Sequence, residues 1–225
     1  MPRLSSLANA AALVALIVAG LASEIMADPL PPRTTVVAHG ITARMLPQLT
    51  GSVIADARRP FRIDTLRGPI TGHIKDRVIR SSFTRRLHFY TTVVVDRGRW
   101  SAKEADRIRL ALVWKTEFLV KPGPLDVPLE VWYRTDAPCP KRPQTIDRDF
   151  RSISFWFSPT KGALKGDSVH FIHPGESSCP LLIATDALEF RLDGYTRLEV
   201  DHPFGGARHD IVETFVPVYG GKTRR

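Results

Sequence analysis

The run from Ile108 to Tyr133 constrains this chain more than any other stretch, because it carries the cleanest two-residue alternation. Ile108, Leu110, Leu112, Trp114, Phe118 and Val120 fall on one side, interrupted only by Thr116, and Arg109, Lys115, Glu117 and Lys121 fall on the other. That period belongs to a strand with one buried and one wet face. Pro122, Gly123 and Pro124 stop the run, since proline has no ladder donor and glycine admits positive φ. A second alternation then places Leu125, Val127, Leu129, Val131 and Tyr133 on one face and Asp126, Glu130 and Arg134 on the other. The segment predicts a long antiparallel hairpin with Trp114 toward the core and Lys115 toward water.

The rest of the chain repeats the theme. From Phe83 to Val95 an apolar face of Phe83, Leu87, Phe89, Val93 and Val95 alternates with Thr84, Arg86, His88, Tyr90 and Thr92. Shorter strands are expected at Thr35 to Ala43, Ser152 to Phe157 and Val169 to Ile172, with Pro60 and the Gly68 and Pro69 pair as turns. Near the C terminus Asp193 and Gly194 suggest a hairpin. A register with Gly194 as a bulge pairs Leu188 with Leu198 and Phe190 with Thr196, and sets Glu189 opposite Arg197. The return strand runs from Ile211 to Val218. Ser101 and Glu104 stand at capping-box spacing, which suits a short helix or a plain loop. No apolar pattern of helical period exceeds about ten residues. The expected fold class is all-β, an antiparallel β-sandwich of about eight to ten strands, with a closed β-barrel as the alternative. An outer-membrane barrel fits less well, because the chain ends in Gly220 to Arg225 and several faces are densely charged.

The first residues bear on compartment. Arg3 precedes an uncharged run from Leu4 to Ser23, rich in alanine, leucine and valine, which is the layout of a secretory signal peptide. Residues 1–27 are read as that signal, cleaved after Ala22 or Ala27, against the alternative of a retained anchor. A proline-rich linker is expected over 28–34, one sandwich domain over 35–219 and a disordered tail over 220–225. The mature chain then has no transmembrane span and is periplasmic or secreted. Cys139 and Cys179 are the only cysteines, and an even count in an exported chain predicts a disulfide between them.

The net charge of +9 is unevenly spread. Residues 28–121 carry 18 basic and 8 acidic side chains, and residues 122–225 carry 13 and 14. A basic first half raises the local concentration of polyanions. Arg58, Arg59, Arg62, Arg67, Arg80, Arg85 and Arg86 are therefore the candidate contacts to an anionic glycan or lipid surface. A competing explanation is compositional bias, since 24 of the basic residues are arginine and 8 lysine. Only Phe61 and Phe83 interleave the tract, so the stacking platform of a single-strand nucleic-acid binder is missing.

No motif specifies a chemistry by itself. The loop Asp201 to Asp210 is nearly symmetrical about Gly205 and Gly206, so that His202 would face His209 across a hairpin. Such a pair would supply two ligands of a zinc or copper site, completed by His170, His173 or a carboxylate. Polar residues capping a hairpin end explain the loop more simply, and otherwise no cofactor is expected. The G-E-S-S-C run at Gly175 to Cys179 lacks the second glycine of a nucleophile elbow, and no catalytic residue is assigned. The leading expectation is a non-enzymatic binding protein for an anionic envelope component. A metal-binding protein or metal-dependent enzyme, and an envelope assembly subunit with a protein partner, are the alternatives.

Overall fold

The computed structural model describes residues 30–119, 127–158, 170–201, 204–206 and 208–219, so the expected signal, the first two residues of the linker and the tail lie outside the described residues. Two six-stranded sheets pack face to face, the all-β sandwich expected from the alternation. The first has the order β1 (Thr34–Val37), β8 (Thr145–Arg148), β9 (Ile153–Trp156), β6 (Arg109–Thr116), β11 (Glu189–Asp201) and β12 (His209–Val218). The second has the order β2 (Gly40–Ile41), β7 (Glu130–Arg134), β10 (Leu181–Ala184), β5 (Leu87–Val95), β4 (Gly68–Ser81) and β3 (Gly51–Thr65). Pairing is antiparallel except between β2 and β7.

Between the sheets lies the main core, filled by inward residues such as Phe155, Val113 and Leu198 from the first sheet and Phe89, Val93 and Ile74 from the second. A smaller apolar cluster sits on the outer face of the second sheet. There β2 and a 3-10 turn at Pro47–Leu49 lay Ile41, Leu46 and Leu49 over Tyr90, Trp132 and Leu182. This explains why β10, L-L-I-A, does not alternate: it is covered on both faces.

The expected hairpin from Ile108 to Tyr133 does not form. β6 and β7 belong to opposite sheets. The alternation in β6 is also broken. β11 pairs Leu198 with Val113, Glu199 with Leu112 and Val200 with Leu110, which leaves Ala111 as an extra residue. One extra residue turns every later side chain to the opposite face. Ile108 and Leu110 point into the core as expected, but beyond the bulge Val113 and Lys115 point inward and Trp114 outward.

Lys115 is 1% exposed and meets an equally buried carboxylate, Asp76 of β4. Its Nζ donates to Thr214 Oγ1 at 2.8 Å and, more weakly, to Asp76 Oδ1 at 3.4 Å. Asp76 also accepts from Thr91 Oγ1 at 2.9 Å, from Thr214 Oγ1, and from the Phe215 backbone N–H at 2.8 Å. Arg59 of β3 completes the cluster, 3.6 Å from Asp76 and stacked 4.6 Å over the Phe215 ring. The group joins β3, β4 and β5 of one sheet to β6 and β12 of the other. Burial holds the Lys115 amine below its ordinary pKa, opposed by Asp76.

Two further sequence expectations are corrected. Asp193 and Gly194 do not turn the chain; β11 is continuous through them, with a bulge between Leu192 and Gly194. Gly194 is needed for close packing, since a Cβ there would lie 2.0 Å from Val216 Cγ1. Likewise Pro60 sits within β3, which tolerates it because β3 is an edge strand. The capping box is present: Ser101 caps helix α1 (Ala102–Ala105) and Glu104 reaches back to the Ser101 N–H.

Cys139 and Cys179 are disulfide-bonded, linking the loop after β7 to the segment entering β10 across 40 residues. For a loop of that length chain entropy implies about 3 to 4 kcal/mol of stabilisation. A Cys139→Ala/Cys179→Ala variant is expected to lose that much in chemical denaturation; an unchanged midpoint would show that the bridge constrains nothing. Asp76→Ala strands a buried amine and the Phe215 N–H, with an expected loss of about 3–5 kcal/mol. The Asp76→Leu/Lys115→Met pair should recover most of it, as measured by urea midpoints of the single and double variants.

Candidate functional site

The seven candidate arginines do not share one surface. Arg58 and Arg62 stand on the outer face of the β3–β4 ribbon, with Lys75 paired across from Arg58. Arg58 Nη2 lies 3.2 Å from His73 Nδ1, and burial, then Arg58 and Lys75, hold His73 below its ordinary pKa. Arg62 is paired with Asp64 at 2.9 Å. Arg59 faces inward in the Asp76 cluster and is 16% exposed, so its role is structural. Arg67 lies at the β3–β4 turn, 3.3 Å from Glu104 and 5.3 Å over the Phe204 ring. Arg80, Arg85 and Arg86 lie at the opposite end of the ribbon, roughly 45 Å away at the usual rise per strand residue.

At that opposite end the charge meets a cavity of about 530 Å³. Met45, Leu46, Leu49, Pro128 and Ala184 give it an apolar lining, and Arg86, His88, Glu130 and Asp186 bring polar groups to it. Local chain geometry builds its walls. Ser81 Oγ donates to Gln48 O at 2.7 Å and accepts from the backbone N–H groups of Phe83 and Thr84, which holds the β4–β5 turn against the 3-10 segment. That turn leaves Phe83 68% exposed beside Arg85, which adopts a positive φ of 61°. Tyr90 Oη donates to Leu49 O at 3.2 Å, fixing the 3-10 segment over the outer sheet face.

His88 is the unusual group. Only 3% of it is exposed, and its Nδ1 is buried with no hydrogen-bond partner among the described residues. Burial pushes its pKa down to about 4, helped by Arg86 and opposed by the Leu49 backbone. It is therefore a neutral imidazole at neutral pH. Burial raises the Glu130 pKa, which Arg86 partly offsets. The cavity thus combines the Arg86 cation, a neutral ring with an unused nitrogen, the Glu130 carboxyl whose ionisation burial opposes, the Asp186 side chain and an apolar lining. That set can hold an anionic head and an apolar body together.

His88 stood in the sequence merely as a polar position of β5. The unbroken apolar run of β10 was the signal that this outer face is covered and could hold a cavity. The symmetrical histidine loop does not form as expected. β11 and β12 pair Glu199 with His209, so Asp201 does not face Asp210. Asp210 instead accepts from the Arg62 backbone N–H at 2.8 Å. His202 lies outside the described residues and His209 is exposed. Among the described residues no group of three His, Cys, Asp or Glu side chains is placed to hold a metal ion. His173 is buried with Nδ1 2.8 Å from Ile108 O, serving the junction of α1 and β6. Comparison with protein-family models, with curated proteins and with solved structures returns no match for this chain.

The depressed His88 pKa has a sign that can be tested. A histidine whose pKa falls from 6.5 to about 4 on folding binds its proton more readily when unfolded. Stability is then highest above pH 6.5 and is lost as pH falls toward 4, by on the order of 3 kcal/mol at pH 4. Denaturation curves of the native chain and a His88→Gln variant at pH 7 and pH 4 measure this. The pH-dependent loss should shrink in the variant by about that amount, and equal losses would place the acid sensitivity elsewhere.

Proposed function

We propose that this chain is an exported, non-enzymatic binding protein that engages an acidic lipid of the cell envelope through the cavity beside Arg86. The unpartnered His88 Nδ1 next to that guanidinium, over an apolar lining, carries the reading. A buried polar atom without a partner costs free energy, so its persistence beside a cavity favours a ligand that completes it. The cavity's size lies within the range of small-molecule sites. Arg86 lines the cavity with Met45, and Arg80 Nη1 donates to Arg85 O at 3.3 Å at the turn that carries the exposed Phe83. Each basic side chain near an anionic bilayer adds about 1 kcal/mol of attraction, and an exposed aromatic adds apolar contact at the interface. The disulfide supports an oxidising compartment. No helix among the described residues is long and apolar enough to cross a membrane.

Co-sedimentation with vesicles tests the proposal. The chain should pellet with vesicles of phosphatidylglycerol and phosphatidylcholine, but not with phosphatidylcholine alone, and salt should weaken the association. Arg86→Glu and Phe83→Ser should each weaken binding about tenfold or more, the loss expected for one charge-assisted contact or one buried ring. Equal pelleting with uncharged vesicles would sink the proposal. So would binding to an anionic polysaccharide that ignores Phe83→Ser, because it needs charge alone.

A further inference from the structure

The outer face of the first sheet carries a second cavity of about 530 Å³, unrelated to the basic end of the molecule. Two half-buried indoles line it. Trp114 of β6 is paired with Ser154 of β9, and Trp156 of β9 with Leu112 of β6, so the two rings stand diagonally on neighbouring strands of one face. Trp156 is oriented by donating its Nε1–H to Asp147 Oδ2 at 2.8 Å. Trp114 is backed by the Arg197 guanidinium 5.7 Å from its ring. Ser154, Asp149, Glu199 and Arg33 bring hydroxyl, carboxylate and guanidinium groups to the same cavity.

We infer that this cavity is a binding site for an uncharged sugar residue of a glycan. A pyranose ring has apolar C–H faces and a rim of hydroxyls, so it needs flat apolar platforms and planar polar groups at one place. Trp114 and Trp156 are the platforms. Asp149 and Glu199 accept from hydroxyl donors, and Ser154 does either. Asp147, Asp149 and Glu199 are offset at the cavity by Arg33 and Arg148, and Glu199 is paired with Arg197 at 3.4 Å, so the lining is close to charge balance and favours an uncharged ligand over an acidic or a basic one. A purely apolar partner would desolvate the same groups without hydrogen-bonding them. The ligand here is therefore neutral and polar, in contrast to the acidic lipid at the other cavity, and the two sites are independent.

Affinity electrophoresis through gels holding a neutral β-glucan, galactomannan or arabinogalactan tests the inference. The oxidised full chain should be retarded by at least one of them, and high salt should leave the retardation in place. Tryptophan fluorescence gives a second readout, because Trp100 and Trp132 are buried and only Trp114 and Trp156 line the cavity. Trp114→Ala and Trp156→Ala should each raise Kd about tenfold or more with an unchanged circular dichroism spectrum, and Trp156→Phe should keep part of the affinity. The inference is overturned if none of the three glycans retards the chain, if retardation disappears with salt, or if Trp114→Ala binds as tightly as the native chain.

Discussion

Asp76 and Lys115 hold the two sheets in register through a buried charged contact. A carboxylate and an amine taken out of water are costly unless every lone pair and proton is used. Here Thr91, Thr214, the Phe215 N–H and Arg59 supply the other partners, and with Asp76 and Lys115 the group spans five strands in two sheets. Apolar packing between sheets is tolerant of sliding, whereas a carboxylate with four donors accepts one arrangement. This network therefore sets how β12 sits against the β3–β4 ribbon. The Asp210 bond to the Arg62 backbone repeats the same contact further along the ribbon.

That network exists because of one extra residue. The bulge at Ala111 turns Lys115 into the interior, and by the same step it turns Trp114 out to the surface. The buried ion pair and the aromatic cavity on the outer face are two results of a single shift in strand parity. Removing the bulge would bury Trp114 and expose Lys115, which is the arrangement that a plain reading of the alternation predicts.

The two cavities are built differently. One arises where a non-strand segment covers the outer face of the second sheet incompletely, leaving Arg86 and His88 at the margin of a small second core. The other lies on the outer face of the first sheet and is shaped by side chains of neighbouring strands. The first has an unpartnered buried nitrogen and a cation; the second has two indole platforms with both carboxylates and guanidinium groups around them. Their chemistry differs because a non-strand segment builds the wall of the first, whereas among the described residues strand side chains build most of the second.

The sequence by itself determined the local features: the all-β class, though with twelve strands among the described residues where about eight to ten were expected, the inward face of β5, the capping box at Ser101 and the pairing of the two cysteines. Each depends on spacing along the chain or on a count of residue types, which any sequence displays. Only the tertiary structure decided which sheet each strand joins, that β6 and β7 do not form a hairpin, and that Asp193 and Gly194 form a bulge instead of a turn. It also separated the arginines, sending Arg59 into the core and placing Arg67 and Arg86 at opposite ends of one ribbon. Bulges and partner choice depend on the strand across the way, so a single strand carries no trace of them. The cavities followed from those choices, because both lie where segments far apart in the chain meet.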